Sequence, residues 1–329
     1  YRKMIHFFRL IRPVNLIVVA ITMYGLRFFY SQLAHLRPVD GRSEWHENLD
    51  FFLLVFSTVL IAAAGNIIND YFDVRADRVN RPEKLIISKH IKRRWAIISH
   101  WLLNGIAFTI AIYLSIRNHT FWYVFVHLIS INTLWFYSML FKRKVLIGNL
   151  AVALLTALVP ILCGIHFYMT GTLDIEHFKS MTSEQSAFYS NWILYMAEDG
   201  KIIFSMAIFA FVLNFAREII KDIQDVSGDK LIYAKTLPMK FGIKRAAHLA
   251  SGMLFAMPVI TLIIYFWFIP FSMLNFFFFL PVIFSLLLAV LVAILLLKKR
   301  ELSTYKLFDR TLKISMLFGI VIPFYWLVF

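Results

Sequence analysis

The sequence NIINDYFDVRAD, Asn66 to Asp77, closes an apolar run that begins near Phe51. Asn66, Asp70, Asp73 and Asp77 fall at i, i+4, i+7 and i+11, so they share one stripe of a helix. Three carboxylates on one face repel one another unless positive charge is placed among them, and oxygen ligands of this kind suit a hard divalent cation. A second copy follows 152 residues later, where Asp222, Asp225 and Asp229 repeat the spacing of Asp70, Asp73 and Asp77. It too ends an apolar run, Ile202 to Ile220, and a base follows the last Asp in each copy, Arg78 and Lys230. Two such stripes facing each other would hold metal ions, and metals bridging them would hold a diphosphate. Acidic motif 1 therefore spans 66–77 and acidic motif 2 spans 218–229, the latter extended by Glu218, four residues before Asp222.

The rest of the chain says what surrounds these stripes. Sixty per cent of residues are apolar, 34 are Phe, and mean hydropathy is +0.72, values that exclude a soluble domain. At roughly 20 residues per span plus loops, the length accommodates about nine transmembrane helices, and apolar runs place them at about 13–34, 49–72, 95–115, 120–141, 146–169, 201–222, 247–269, 273–297 and 311–329. The expected architecture is all-α, a single domain over 1–329, with two related four-helix halves and one extra helix enclosing a central cavity. The first 12 residues are basic and are followed by a full-length apolar run, so no cleavable signal peptide is expected. The absence of an initiator Met before Tyr1 suggests a chain trimmed at its start. The single cysteine, Cys163, excludes an intrachain disulfide framework.

A net charge of +15 raises nucleic acid as a partner, and the placement of the bases excludes it. All but six of the 34 Lys and Arg (Arg27, Arg37, Arg42, Arg117, Lys179 and Lys201) fall on one side of the spans. By that asymmetry the N-terminus and both acidic motifs face the cytoplasm, the C-terminus lies on the opposite side, and the expected location is a prokaryotic cell membrane.

Several polar residues stand near the stripes. Asn15 follows Arg12-Pro13 at the start of the first span, where it faces either a cavity or water. Asn80-Arg81-Pro82 breaks the helix after motif 1, and Arg78, Arg81 and Lys84 become candidates for diphosphate contacts. The fourth span ends in Tyr137, with Lys142, Arg143 and Lys144 at the membrane boundary. Asn149, Thr156 and Pro160 are isolated polar or helix-perturbing marks on the fifth. Arg217, Glu218 and Lys221 lie within the sixth span, where ionisable residues are costly and functional by default, and Lys235 offers a base on the second side. Gly228 is read as loosening the last turn of motif 2. The 170–200 connection carries acids and His177 without ligand spacing and is read as an outer cap. No two histidines stand at ligand spacing, which leaves a His-based zinc or iron site without support.

Chelated diphosphate leaves more easily because Mg²⁺ neutralises its developing charge. An allylic C–O bond can then ionise to a carbocation, which aromatic faces such as Tyr71, Phe72 and Tyr137 would stabilise and apolar walls would shield from water. The paired motifs, Asn69-Asp70-x-x-Asp73-x-x-x-Asp77 and Asp222-x-x-Asp225-x-x-x-Asp229, resemble those of the UbiA-type intramembrane prenyltransferases. That resemblance implies nine transmembrane helices and a prenyl diphosphate donor. It implies Mg²⁺, two ions, held through Asp70, Asp73, Asp77, Asp222, Asp225 and Asp229, with Asn66 on the diphosphate and Asp70, Asp73, Asp222, Asp225 and Tyr137 as the catalytic set. Asn69 and the bases would bind substrate, and Lys142 and Arg143 fall where the family has a Tyr and Lys pair.

The finer text, Asn-Arg-Pro at 80–82, the run from Arg217 to Asp229 and Lys-Thr-Leu-Pro at 235–238, is similar to the ether-lipid branch. This implies a geranylgeranyl donor and geranylgeranylglyceryl phosphate as the lipid acceptor. Tyr233 stands where that branch has Gly, and Ile87-Ser88-Lys89 replaces a Pro-Ser-Gly-like turn. The alternatives are an aromatic acceptor of quinone synthesis, haem farnesylation, and a cation- or proton-coupled transporter.

Overall fold

The computed structural model describes residues 2–33, 44–80, 82–171, 183–268, 280–298 and 301–325. Among these, helices account for almost all regular structure. In chain order they are α1 (Arg2–Ile11), α2 (Pro13–Leu33), α3 (Glu44–Asn80), α4 (Arg93–Arg117), α5 (Trp122–Met139), α6 (Ile147–Gly171), α7 (Ser183–Gln224), α8 (Val226–Leu231), α9 (Leu237–Phe241), α10 (Ile243–Phe268), α11 (Leu280–Lys298) and α12 (Leu302–Tyr325). Short 3₁₀ turns occupy Pro82–Lys84 and Phe141–Arg143.

Among the described residues, seven helices are long and apolar enough to cross a membrane: α2, α3, α4, α6, α7, α10 and α11. Helices α5 and α12 occupy the places expected for spans four and nine without meeting that standard. The reason is composition. His127, Asn132 and several aromatic rings dilute α5, and α12 carries Lys306, Asp309, Arg310 and Lys313 in its first half. The 170–200 connection is also shorter than read from sequence, because α7 begins at Ser183; residues 172–182 lie outside the described residues.

The surface is that of a protein in lipid, with Trp101, Leu262 and Leu287 each more than half exposed. Lipid tails give no hydrophobic drive for helices to associate, so close packing must do it, and small residues permit that approach. Ala107, Ala111, Ala153, Ala216, Ala246, Ala250, Ala289 and Ala293 are completely buried. Helix α12 packs on both α7 and α2, closing the bundle.

Two cores result. One gathers Val212 to Ile223 of α7 with α10, α11 and α12. The other lies at the end opposite the aspartates and joins Met23, Phe51, Leu114, Tyr123, Leu162 and Phe167. There Tyr30 stacks on Phe167 at 4.3 Å, Tyr123 Oη and His166 Nδ1 share a hydrogen bond of 2.9 Å, and Ser57 Oγ and His127 Nε2 share one of 2.8 Å. Nearby, Arg117 Nε reaches the buried Asp50 carboxylate at 3.0 Å.

Candidate active site

Motif 1 sits on the last turns of α3 as the spacing requires. Motif 2 differs from its expected form. Helix α7 stops at Gln224, Asp225 caps α8 with φ −95° and ψ 4°, and Asp229 stands on α8. The second stripe is therefore bent between two helices rather than continued on one. The bend has a cause in Asn80, the last residue of α3. Its Nδ2 donates to the Asp225 carbonyl at 3.1 Å, while its Oδ1 accepts from Gly228 N–H at 2.8 Å and from Ser227 Oγ at 3.3 Å. A Cβ at position 228 would lie 2.7 Å from Asn80 Cγ and 2.8 Å from its Oδ1, so glycine is needed for close approach rather than to loosen a turn.

A second bridge joins the loops, because Lys235 N–H donates to the Arg143 carbonyl at 2.8 Å. Between them, the turn at 141–143 drops Lys142 onto the Asp73 carboxylate, with Asn69 Oδ1 at 3.5 Å from the same ammonium. Gly148 permits this. A Cβ there would lie 2.9 Å from both Lys142 Cα and the Phe141 carbonyl oxygen, so α6 can start directly beneath the turn. Burial by itself would lower the Lys142 pKa, but the adjacent Asp73 carboxylate outweighs it and holds the ammonium well above its ordinary value.

The other aspartates are also engaged. Asp70 pairs with Arg12, Asp222 Oδ2 accepts from Asn149 Nδ2 at 2.9 Å, and Asp229 Oδ2 accepts from Thr236 Oγ1 at 3.1 Å. Burial pushes the Asp229 carboxyl up to about 6, with the Thr236 hydroxyl and Lys142 acting against it. Tyr137 lies within electrostatic reach of Lys142, Glu218, Asp73 and Asp222. Tyr71 has one face covered by the Arg93 guanidinium at 4.4 Å, and Phe72 packs edge-on against Tyr71 and Trp135.

The remaining expected residues divide. Asn66 donates to the Ile11 carbonyl at 2.9 Å, tying α3 to the end of α1. Lys221 turns back to Glu218 on its own helix, and Arg217 joins Asp309 of α12 at 2.8 Å, so this group braces α7 against α12. Asn15, Arg78, Arg143 and Lys235 are exposed. Arg81 lies outside the described residues, as does the side chain of Lys84. Sequence reading missed Arg12, Asn149 and Thr236 as partners of the aspartates. An amide on an otherwise apolar helix was the available signal for Asn149, and the Arg-Pro step was the signal for Arg12.

Among the described residues, no three Asp, Glu, His or Cys side chains converge as one ligand cage. Mg²⁺ does not require such a cage, since it takes one or two carboxylates together with substrate phosphates and water. Hard oxygen donors stand on both sides, at Asp70 and Asp73 and at Asp222, Asp225 and Asp229.

A family model described as the UbiA prenyltransferase family matches residues 18–317. Digeranylgeranylglyceryl phosphate synthase of Thermococcus sibiricus is 30% identical over 254 residues, covering 77% of this chain and 74% of its own. Among solved structures, one described as concerning digeranylgeranylglyceryl phosphate synthase in membranes superposes with a TM-score of 0.63 at 21% identity, covering 98% of each chain. A UbiA homologue from Archaeoglobus fulgidus bound to GPP and Mg²⁺ gives 0.52 at 14% identity, covering 97% of this chain and 99% of its own. The backbone shared with these structures, the paired aspartates and the family match converge, and the chain belongs to the UbiA prenyltransferase family as an integral membrane prenyltransferase.

Proposed function

We propose that this protein transfers a geranylgeranyl group from its diphosphate to geranylgeranylglyceryl phosphate, using two Mg²⁺ ions, as a single domain whose acidic end faces the cytoplasm. The observation that supports the reading is the tie between the two motifs: Asn80, just after motif 1, bonds the Asp225 carbonyl and the Gly228 N–H of motif 2, and Lys142 stands on Asp73 within electrostatic reach of Asp225 and Asp229. Carboxylates from the two sets, Asp70, Asp73 and Asp77 and Asp222, Asp225 and Asp229, would hold the ions together with diphosphate oxygens. When bound, Mg²⁺ supplies charge neutralisation for the departing diphosphate. Lys142 donates hydrogen bonds to the leaving oxygens, a charge-assisted contact that strengthens as the C–O bond breaks. Tyr137 offers its ring face to the allylic cation. Asn149 orients the Asp222 carboxylate, and Thr236 orients that of Asp229. The bases at the same end, Arg78, Arg143 and Lys235 among them, suit an acceptor that carries a phosphate. The ether-lipid acceptor is further supported by the name of the Thermococcus relative.

The test offers the purified protein geranylgeranyl diphosphate and Mg²⁺ with geranylgeranylglyceryl phosphate and 4-hydroxybenzoate as competing acceptors. A Mg²⁺-dependent ether-lipid product is expected. A prenylated aromatic as the sole product would overturn the acceptor while keeping the chemistry, and no product that depends on metal would overturn both.

A further inference from the structure

Arg12 is the base that the mechanism above leaves without a task, and its placement is specific. It sits between α1 and α2 with φ 56°, a left-handed backbone uncommon for a residue with a side chain and costly unless its surroundings enforce it. Pro13 follows it, and the carbonyl of Ile11 before it is held by the Asn66 amide. Leu10, fully buried, anchors α1 against Ile67, Val74, Ile87 and Ala96. The hinge is therefore fastened on both sides, and it aims the guanidinium at Asp70, the first carboxylate of the α3 stripe. Asn66 and Asp70 are one helical turn apart, so the stripe itself fixes the base that covers it.

The two partners are unequally enclosed. The Arg12 side chain is 44% exposed and that of Asp70 17%. A pair so open to water holds weakly, and the guanidinium can swing away while the carboxylate stays.

We propose that Arg12 is an exchangeable counter-ion. It covers Asp70 in the free protein, yields that carboxylate to a divalent cation, and then donates its forked N–H groups to the diphosphate that the cation brings. The inference rests on the metal and diphosphate reading given above. Exchange explains why a base should stand directly on a residue that must receive a metal. It prevents mutual repulsion between Asp70 and Asp73 before substrate arrives, and it places a planar, bidentate donor beside the leaving group afterwards.

A fixed structural ion pair and an exchangeable one differ in sign, which gives the test. Mn²⁺ binding to the full-length protein in detergent is read from the paramagnetic resonance signal of the free ion, without donor. Inorganic pyrophosphate binding in saturating Mg²⁺ is read by calorimetry. For Arg12→Gln, the Mn²⁺ dissociation constant is expected to fall severalfold because the competing charge is gone, whereas pyrophosphate binding weakens about tenfold through loss of a charge-assisted pair. Arg12→Lys keeps the charge and loses the fork, so Mn²⁺ binding stays near wild type and pyrophosphate binding still weakens. It also serves if the Gln variant does not fold. Arg9→Gln, one turn earlier on α1, should change neither. Parallel weakening of both ligands in Arg12→Gln, or no change in either, would overturn the exchange. Wild-type protein that binds no pyrophosphate with Mg²⁺ would overturn the underlying metal reading with it.

Discussion

Replacing Asn80 by Ala should unfasten the two acidic motifs from each other while leaving every carboxylate in place. The side chain makes three hydrogen bonds across 145 or more residues of sequence. The one from Ser227 is exposed and contributes little. The other two, at roughly 1 kcal/mol each net, give about 2 kcal/mol, or about thirtyfold in the population of the docked arrangement. Turnover at saturating donor and Mg²⁺ should fall by one to two orders of magnitude, since both stripes must act on one diphosphate. Gly228→Ala should lose activity similarly, because its Cβ would meet the same amide. The two changes should not add. With Asn80 truncated the space at position 228 is open, and Ala is the better helix former by about 1 kcal/mol, so the double variant should be no worse than Asn80→Ala alone. Additive losses in the double variant, or turnover within twofold of wild type in Asn80→Ala, would refute this account of how the motifs are registered.

Asp70→Asn and Asp222→Asn should each abolish turnover without changing the thermal unfolding midpoint by more than a few degrees, and wild-type-like activity in either would reject the metal-stripe assignment. Lys142→Ala should raise the Michaelis constant for the donor about tenfold or more, with residual turnover; an unchanged constant would remove Lys142 from the diphosphate site. Asn149→Leu should leave donor saturation near wild type and raise the Mg²⁺ concentration for half-activation about tenfold, since it orients a ligand rather than serving as one. Titration of Mg²⁺ into metal-stripped protein checks this.

The membrane class and the two stripes were legible from sequence because they depend on composition and on local helical spacing, both of which a linear text carries. The positive backbone angles at Tyr233 (φ 52°) and Ser88 (φ 73°) fall where departures from Gly-like turns were read, since the demand for a left-handed residue is local too. What remained hidden depends on contacts distant in sequence. Arg12 lies 58 residues from Asp70 and Asn149 lies 73 from Asp222, and no periodicity links such pairs. The bend in motif 2 was missed for the same reason, because the residue that enforces it, Asn80, belongs to motif 1. The Arg93 guanidinium over Tyr71 was not legible either, because it lies beyond the next loop.

The aromatic core at the far end of the bundle has an electrical consequence. On the proposed function, a site that takes diphosphate and metal from one aqueous side would be the open mouth of a leak for ions down the membrane potential unless the far end were closed. Phe51, Tyr123 and Phe167 are buried at that end, where Ser57 bonds His127 and Tyr123 bonds His166. An ion entering there would shed its hydration among aromatic rings, and the buried Asp50 carboxylate at that end is already paired with Arg117. The same packing that locks the helices thus insulates the membrane, so that charge can gather at the aspartates without crossing to the other side.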